Sequence, residues 1–144
     1  MKNFWAAFIC SAMILSSSLC LATVDNGKIV LGGITPGMTE AELIDAFGQP
    51  LHKSGDDWTY KNFKVEVERG IVEKVSTRSE FLAADGVRVG LKAEVLNDTF
   101  GRADEFDRDY DGEEYEYDSI DRTKTIKFKV VNGIIVKITC ELKD

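Results

Sequence analysis

Hydrophobic positions in this chain follow two spacings that alternate along its length. Across residues 39–48, apolar side chains recur at the three- and four-residue interval of a helix, with Leu43, Ile44 and Phe47 forming the stripe. Across residues 58–77 and 115–140, apolar and polar side chains alternate, which is typical of strands with one buried face. The pattern therefore predicts helices that are each followed by antiparallel strands.

The order of these segments occurs twice. The run from Gly33 to Gly48 is repeated, with substitutions, from Gly86 to Gly101, and strand-like segments follow both runs. We predict an α+β fold of two tandem repeats, each a helix followed by a three-stranded antiparallel meander, with the helices packed on one face of the sheets. The predicted repeats cover residues 23–80 and 81–144.

The first helix has clear boundary signals and the second does not. Thr39 is placed to cap the first helix while Glu42 reaches back to the cap, and Gly48 ends it. The second helix, from Ala93 to Phe100, has Lys92 at the capping position. Because a lost cap costs about 1 kcal/mol, we expect its start to be the weaker one.

Strand registers follow from keeping apolar side chains on one face. A two-residue turn at Lys61-Asn62 sets Trp58 opposite Val65. Three-residue turns are predicted at the two later reversals, Glu68–Gly70 and Val131–Gly133, since a two-residue turn at the second would set an apolar residue opposite a lysine.

The first 22 residues are predicted to be a cleaved signal peptide. Lys2 supplies the charged start, Phe4 to Leu15 an apolar stretch, and Cys20-Leu21-Ala22 a small-residue cleavage site. The apolar stretch is too short for a membrane span. The protein is therefore expected to be exported, periplasmic or secreted. A lipid anchor at Cys20 is the less favoured alternative, because Leu19 precedes the cysteine.

Charge and cysteine content narrow the partners and the source of stability. Removal of Lys2 changes the formal net charge from −7 to −8. This argues against nucleic acid and anionic membranes as partners and leaves cationic ones open. Cys140 is the one cysteine outside residues 1–22, so no internal disulfide is expected and an apolar core must stabilise the fold. The strand period directs Cys140 into that core.

One group of motifs resembles a known family. The run Gly33 to Thr39, then Gly48-Gln49-Pro50 and Trp58-x-Tyr60, is similar to the repeat of the β-lactamase inhibitor protein (BLIP-like) family and of the SmpA/OmlA (BamE-like) outer-membrane lipoproteins. The resemblance covers nearly the whole mature chain as two copies. It implies an α/β module whose two sheets lie side by side and present a concave surface to another protein.

An acidic segment is the sharpest local motif. Its spacing, Asp107-x-Asp109-x-Asp111-Gly followed by Asp118, is similar to a calcium loop in which alternate carboxylates converge on the ion. The competing interpretation is a solvated acidic loop between helix and strand. Ca²⁺ is the one cofactor considered, with these four aspartates as its candidate ligands.

No group of residues in the sequence is typical of an enzyme. His52 is the single histidine, and no serine or cysteine motif accompanies it. We therefore predict an exported, non-catalytic protein-interaction module of the cell envelope or secreted fraction. A calcium-binding structural protein that uses the Asp107–Asp118 loop is the alternative.

Overall fold

A computed structural model describes residues 23–144, and the predicted signal peptide lies outside these residues. Two short helices are present, α1 (Glu40–Phe47) and α2 (Glu94–Phe100), together with a 3₁₀ turn at Asn26–Lys28. The ten strands are β1 (His52–Ser54), β2 (Asp57–Thr59), β3 (Lys64–Glu68), β4 (Ile71–Thr77), β5 (Ala83–Ala84), β6 (Val87–Arg88), β7 (Glu105–Asp109), β8 (Gly112–Asp118), β9 (Lys124–Val131) and β10 (Ile134–Leu142).

Eight of these strands form one antiparallel sheet. Its spatial order is β1-β2-β3-β4-β10-β9-β8-β7, and β5 pairs with β6 as a separate two-stranded ribbon. The order joins two four-stranded meanders, β1–β4 and β7–β10, through direct pairing of β4 with β10. The hairpins β1–β2 and β7–β8 therefore lie at opposite edges of the sheet.

The predicted fold class, two repeats of a helix and a three-stranded meander, is wrong. The chain forms one large sheet with two short helices, and each meander has a fourth strand that the prediction omitted. The omitted strands are β1 and β7, which are exposed at every position. An edge strand with no buried face has no apolar alternation, so its residues resemble a polar loop in the sequence.

One face of the sheet supports the hydrophobic core. Leu43 of α1 and Leu96 and Phe100 of α2 belong to the same buried cluster as strand residues such as Val75 and Ile138, and the Phe100 ring lies 5.1 Å from the Phe128 ring between centroids. Cys140 is also fully buried in this core, which confirms its predicted direction. Burial of about 25 cal/mol for each Å² of apolar surface is the main source of stability in a fold of this kind.

The turns after β3 and β9 differ from the prediction. Both are two-residue turns, Arg69-Gly70 and Asn132-Gly133, with positive φ at both residues as a type I′ turn requires. A β-bulge then follows in each second strand, at Glu73 and at Val136. The bulge shifts the register by one residue, which keeps apolar side chains inside without the predicted three-residue turn. It also leaves Glu73 half-buried.

Other local predictions are confirmed. Trp58 lies opposite Val65. The side chain of Thr39 accepts a hydrogen bond from the amide of Glu42, whose carboxylate accepts one from the amide of Thr39, completing the capping box. Helix α2 has no side-chain cap at Ala93. Among residues 23–144, no helix is long and apolar enough to cross a membrane.

Candidate interaction surface

The outer face of the sheet, opposite the core, is polar, and charged side chains are paired with one another across its middle. A line of ion pairs crosses five adjacent strands, with Lys74 bridging Glu66 and Glu141, and Lys127 bridging Glu141 and Glu116. Each carboxylate in this line has a cation beside it. Such pairs contribute little to stability individually, but they leave little unmatched charge along this line.

The β7–β8 hairpin carries most of the net charge. Residues 102–118 contain nine acidic and two basic side chains, so this segment accounts for nearly all of the negative charge predicted for the mature chain. Strand β7 is an edge strand, paired with β8 on one side. The hairpin therefore combines a free strand edge with a strong negative potential.

Like charges face each other within this hairpin. Glu105 lies opposite Glu116, and Asp107 lies opposite Glu114. Burial raises the pKa of Glu116 above its ordinary value, and the nearby Glu105 carboxylate raises it further while Lys127 opposes the change. Since opposed like charges destabilise a strand pair, stability alone does not account for this arrangement.

Gly112 holds the hairpin against the next strand. Its φ is 140°, and a Cβ at this position would overlap the carbonyl oxygen of Val130. The turn residues Tyr110 and Asp111 precede it, between Asp109 and Gly112. Glycine is thus required for the close approach of β8 to β9 at the base of the turn.

Exposed aromatic side chains accompany the acidic ones. Phe106 lies opposite Tyr115, with ring centroids 4.9 Å apart, yet 51% of Phe106 remains exposed. Tyr110 at the turn is fully exposed. The Arg108 guanidinium lies 5.7 Å from the centre of the Phe106 ring and pairs with Glu113. Exposed aromatics beside an arginine are typical of protein-binding surfaces.

A cleft of about 600 Å³ separates the hairpin from α2. Its wall includes Leu96 and Asn97 of α2, and Phe106 and Tyr115 of the hairpin. Tyr117 also lines it, and the Tyr117 hydroxyl donates a hydrogen bond to the carbonyl of Gly101 at 3.3 Å. Burial raises the pKa of Tyr117 to about 12, so the phenol is neutral at physiological pH. The cleft therefore has a fixed aromatic wall beneath a charged rim.

The structure does not bring the four predicted calcium ligands together in one loop. Asp107 lies within β7, whereas Asp109 at the end of β7 and Asp111 in the hairpin turn approach Lys129 at 3.6 and 2.7 Å. Asp118 lies at the far end of β8, where it accepts a hydrogen bond from Lys143 at 2.6 Å. No group of three or more His, Cys, Asp and Glu side chains within residues 23–144 is arranged to hold a metal ion. Calcium binding stays a prediction, to be tested by calorimetric titration.

The remaining residues that the sequence analysis considered lie away from the hairpin. His52 is exposed on β1 rather than in a loop, where it is paired with Thr59. Cys140 is inaccessible, and burial raises the pKa of its thiol well above the ordinary value. Neither residue is placed beside the cleft.

Phe106, Tyr110 and the cleft were not predicted from the sequence. Aromatic residues at 106, 110, 115 and 117 are visible in the sequence, but β7 has no buried face, so their spacing does not indicate that it pairs with β8. The spacing of the aspartates in residues 107–118 led to the prediction of a loop at positions where the structure has strand β7, the hairpin turn and β8. The structure identifies these residues as one surface because β7 and β8 pair in register.

Comparisons with known proteins support the fold alone. No protein-family model and no curated protein matches this sequence. A solved DUF4309 family protein (YjgB) from Bacillus subtilis is similar over 73% of this chain and 78% of its own, with 14% identity and a TM-score of 0.55. An extracellular protein containing a SCP domain from Bacillus anthracis is similar over 98% of this chain, with 10% identity and a TM-score of 0.55. This chain spans 49% of that protein. Neither is described as a member of the families that the sequence resembles, and that resemblance stays a prediction.

Proposed function

We propose that this chain is an exported, non-catalytic protein-interaction module that binds its partner through the β7–β8 hairpin and the adjoining cleft. The observation that carries the proposal is that the exposed aromatics Phe106 and Tyr110 lie at a free edge of the sheet, within a segment, residues 102–118, that holds nine acidic side chains. The outer sheet face is the weaker candidate, since none of the exposed large hydrophobic side chains within residues 23–144 lies on its central strands β3, β4, β10 and β9.

The partner is expected to be a basic polypeptide segment in an extended conformation. An unpaired edge strand such as β7 can accept a further strand through main-chain hydrogen bonds, and side chains of that strand can enter pockets beside it. The cleft next to Phe106 offers such a pocket. The nine acidic side chains favour lysine and arginine in the partner, so association should be fast and should weaken as salt is added.

The proposal is tested by photo-crosslinking in the native producing cells. A photoreactive phenylalanine analogue replaces Tyr110 in the full chain, and the crosslinked partner is identified by mass spectrometry. The matched control places the same analogue at Phe81, which is 78% exposed and lies outside the hairpin and the cleft. We expect one dominant adduct at position 110 that is missing at position 81.

The binding affinity between the purified chain and the partner identified by crosslinking then tests the contribution of individual residues. Phe106→Ala and Tyr110→Ala should each weaken binding by about tenfold or more, because aromatic anchors typically contribute 1 to 2 kcal/mol or more. Phe81→Ala should bind as the unaltered chain does, and thermal unfolding checks that all three variants fold. Equal crosslinking at both positions, or undiminished affinity in both hairpin variants, would contradict the proposal.

A further inference from the structure

A second cleft lies in the other half of the sheet, and its charge is opposite to that of the hairpin. It encloses about 580 Å³ between the segment linking β2 to β3 and the segment after β4, with one wall formed by β10. Four of its lining residues are cationic and none is acidic; the cations are Lys61, Lys64, Arg78 and Lys137. We refer to this site as the basic cleft.

The cations of the basic cleft have no acidic partners. Within residues 23–144, none of the four cations that line it forms an ion pair. By contrast, Lys74, Lys127 and Lys129, on the same strands or the one beside them, each pair with two carboxylates. The sheet therefore neutralises its charges elsewhere and leaves a concentrated positive charge at this cleft.

Hydroxyl groups lie among these cations. Lys64 is directly opposite Thr59 on β2 and Ser76 on β4, and Ser76 is in turn opposite Thr139 on β10. Thr59 and Ser76 line the cleft. Cationic and hydroxyl donors that converge on one concavity suit a ligand that carries several acceptor oxygens.

The walls of the basic cleft are held in place by contacts of their own. The Thr77 hydroxyl donates to the carbonyl of Asn62 at 2.6 Å and accepts from the amide of Ser79 at 2.9 Å. Tyr60 and Phe63 stack with ring centroids 4.5 Å apart, and both are largely buried. The cleft is therefore formed before any ligand arrives, which lowers the entropic cost of binding.

We propose that the basic cleft binds an oxyanion of the phosphate class. A phosphate group offers up to three acceptor oxygens and up to two negative charges, which matches the mixed guanidinium, ammonium and hydroxyl donors of this site. The ligand is either a free phosphate compound or the headgroup of an anionic lipid. The net charge of the whole chain is negative, so it gives no indication of this local cluster of four cations. The proposal is independent of the one made for the hairpin.

Inorganic phosphate titrated into the full chain tests the site by NMR. We expect saturable shifts confined to amides lining the cleft, and weaker binding as salt is added. The double variant Lys64→Gln, Arg78→Gln should bind phosphate at least about tenfold more weakly, since a charge-assisted hydrogen bond contributes about 1.5 kcal/mol or more. Lys64→Arg should retain binding, because it retains the charge.

The matched control is Arg88→Gln, Lys92→Gln, which removes two exposed cations outside the cleft. Phosphatidylcholine vesicles with and without phosphatidic acid distinguish the two ligand sources. Binding to the acidic vesicles indicates a lipid headgroup, and phosphate binding without vesicle binding indicates a free phosphate compound. Phosphate shifts that are scattered over the surface, or equal losses in the control and cleft variants, would overturn the proposal.

Discussion

The two edges of the sheet end in hairpins of the same topology that protect an aromatic residue in different ways. In β1–β2, the Lys53 ammonium lies 3.6 Å from the centre of the Trp58 ring, and Trp58 is 5% exposed. In β7–β8, the residue opposite Tyr115 is Phe106, which is itself half exposed. A covered ring contributes to the core alone, whereas an exposed pair of rings is available to a partner. This difference is one reason for proposing the β7–β8 edge, rather than the β1–β2 edge, as the binding surface.

The two helices are connected to the sheet in a similar way. The hydroxyl of Tyr60 donates to the carbonyl of Gly48, just after α1, and the hydroxyl of Tyr117 donates to the carbonyl of Gly101, just after α2. Both carbonyls would otherwise be unpaired at a helix end. The two halves of the sheet thus share this hydrogen bond from a tyrosine to a glycine carbonyl, although their edge hairpins differ in length, in charge and in the exposure of their aromatic residues.

The largest expected effect comes from the glycines at the two hairpin turns. Gly112→Ala should destabilise the fold by about 2–4 kcal/mol, because it combines backbone strain with overlap against the Val130 carbonyl. Gly55 also has a positive φ, but a Cβ there would meet open space, so Gly55→Ala should cost about 1 kcal/mol. Chemical denaturation of both variants measures the difference. Equal losses would show that Gly112 is not held against β9.

The tyrosine connections give the next largest effect. Tyr60→Phe and Tyr117→Phe should each cost about 1 kcal/mol through the lost hydrogen bond. Tyr117 adds a pH dependence, since burial raises its pKa to about 12 while the unfolded value is about 10. Its neutral form is favoured in the folded state, so this contribution is complete below pH 10 and is lost as the pH rises towards 12.

Unfolding curves measured at alkaline pH test whether stability falls with pH in this way. The unaltered chain should lose stability between about pH 10 and 12 more steeply than Tyr117→Phe does. Because lysines also titrate in this range, the quantity that matters is the difference between the two curves. A difference that is constant with pH would contradict the assignment to Tyr117.

The sequence predicted the parts of this fold that have a buried face. The capping box of Thr39 and the pairing of Trp58 with Val65 follow from local spacing, and both are present. The edge strands could not be predicted in this way, since neither β1 nor β7 has a buried residue. The bulge at Val136 was missed because residues 134, 135, 136 and 138 are all apolar, so the sequence allows either Ile134 and Val136 or Ile135 to face the core, and the structure buries Ile135.

The candidate surfaces were less predictable than the fold. Acidic spacing drew attention to residues 107–118, but the pairing of Phe106 with Tyr115 depends on a register that the sequence did not indicate. The basic cleft joins residues 59–79, which run through the consecutive strands β2, β3 and β4, to Lys137 of β10, which is distant in the sequence. The prediction took the four cations only as part of an overall negative charge, and the pairing of β4 with β10 is what brings Lys137 to the other three.

The helix starts provide a smaller test of the difference between the halves. Thr39→Ala should cost about 1 kcal/mol, because Thr39 has the extended backbone that a capping residue needs. Ala93→Ser should gain at most a few tenths of a kcal/mol, since Ala93 has helical φ and ψ of −59° and −26°. Thermal unfolding of the two variants measures both changes. A gain at Ala93 equal to the loss at Thr39 would mean that backbone conformation does not limit the second cap.

A small change in stability is also expected when the residue that faces Tyr115 is replaced by the type of residue that faces Trp58. Phe106→Lys gives Tyr115 the type of neighbour that Trp58 has in Lys53. A cation over an exposed ring contributes about 0.5–1 kcal/mol, and Phe106 is half exposed, so the free energy of unfolding should change by about 0.5 kcal/mol or less. Partner binding should nevertheless be lost, because the exchange removes an aromatic anchor and neutralises part of the acidic surface. Unfolding and binding measured on the same sample separate these effects. If Phe106→Lys keeps its affinity, partner binding at this edge does not depend on Phe106 and must depend on charged residues at other positions. If the variant instead loses much of its stability, Phe106 belongs to the core rather than to an interface.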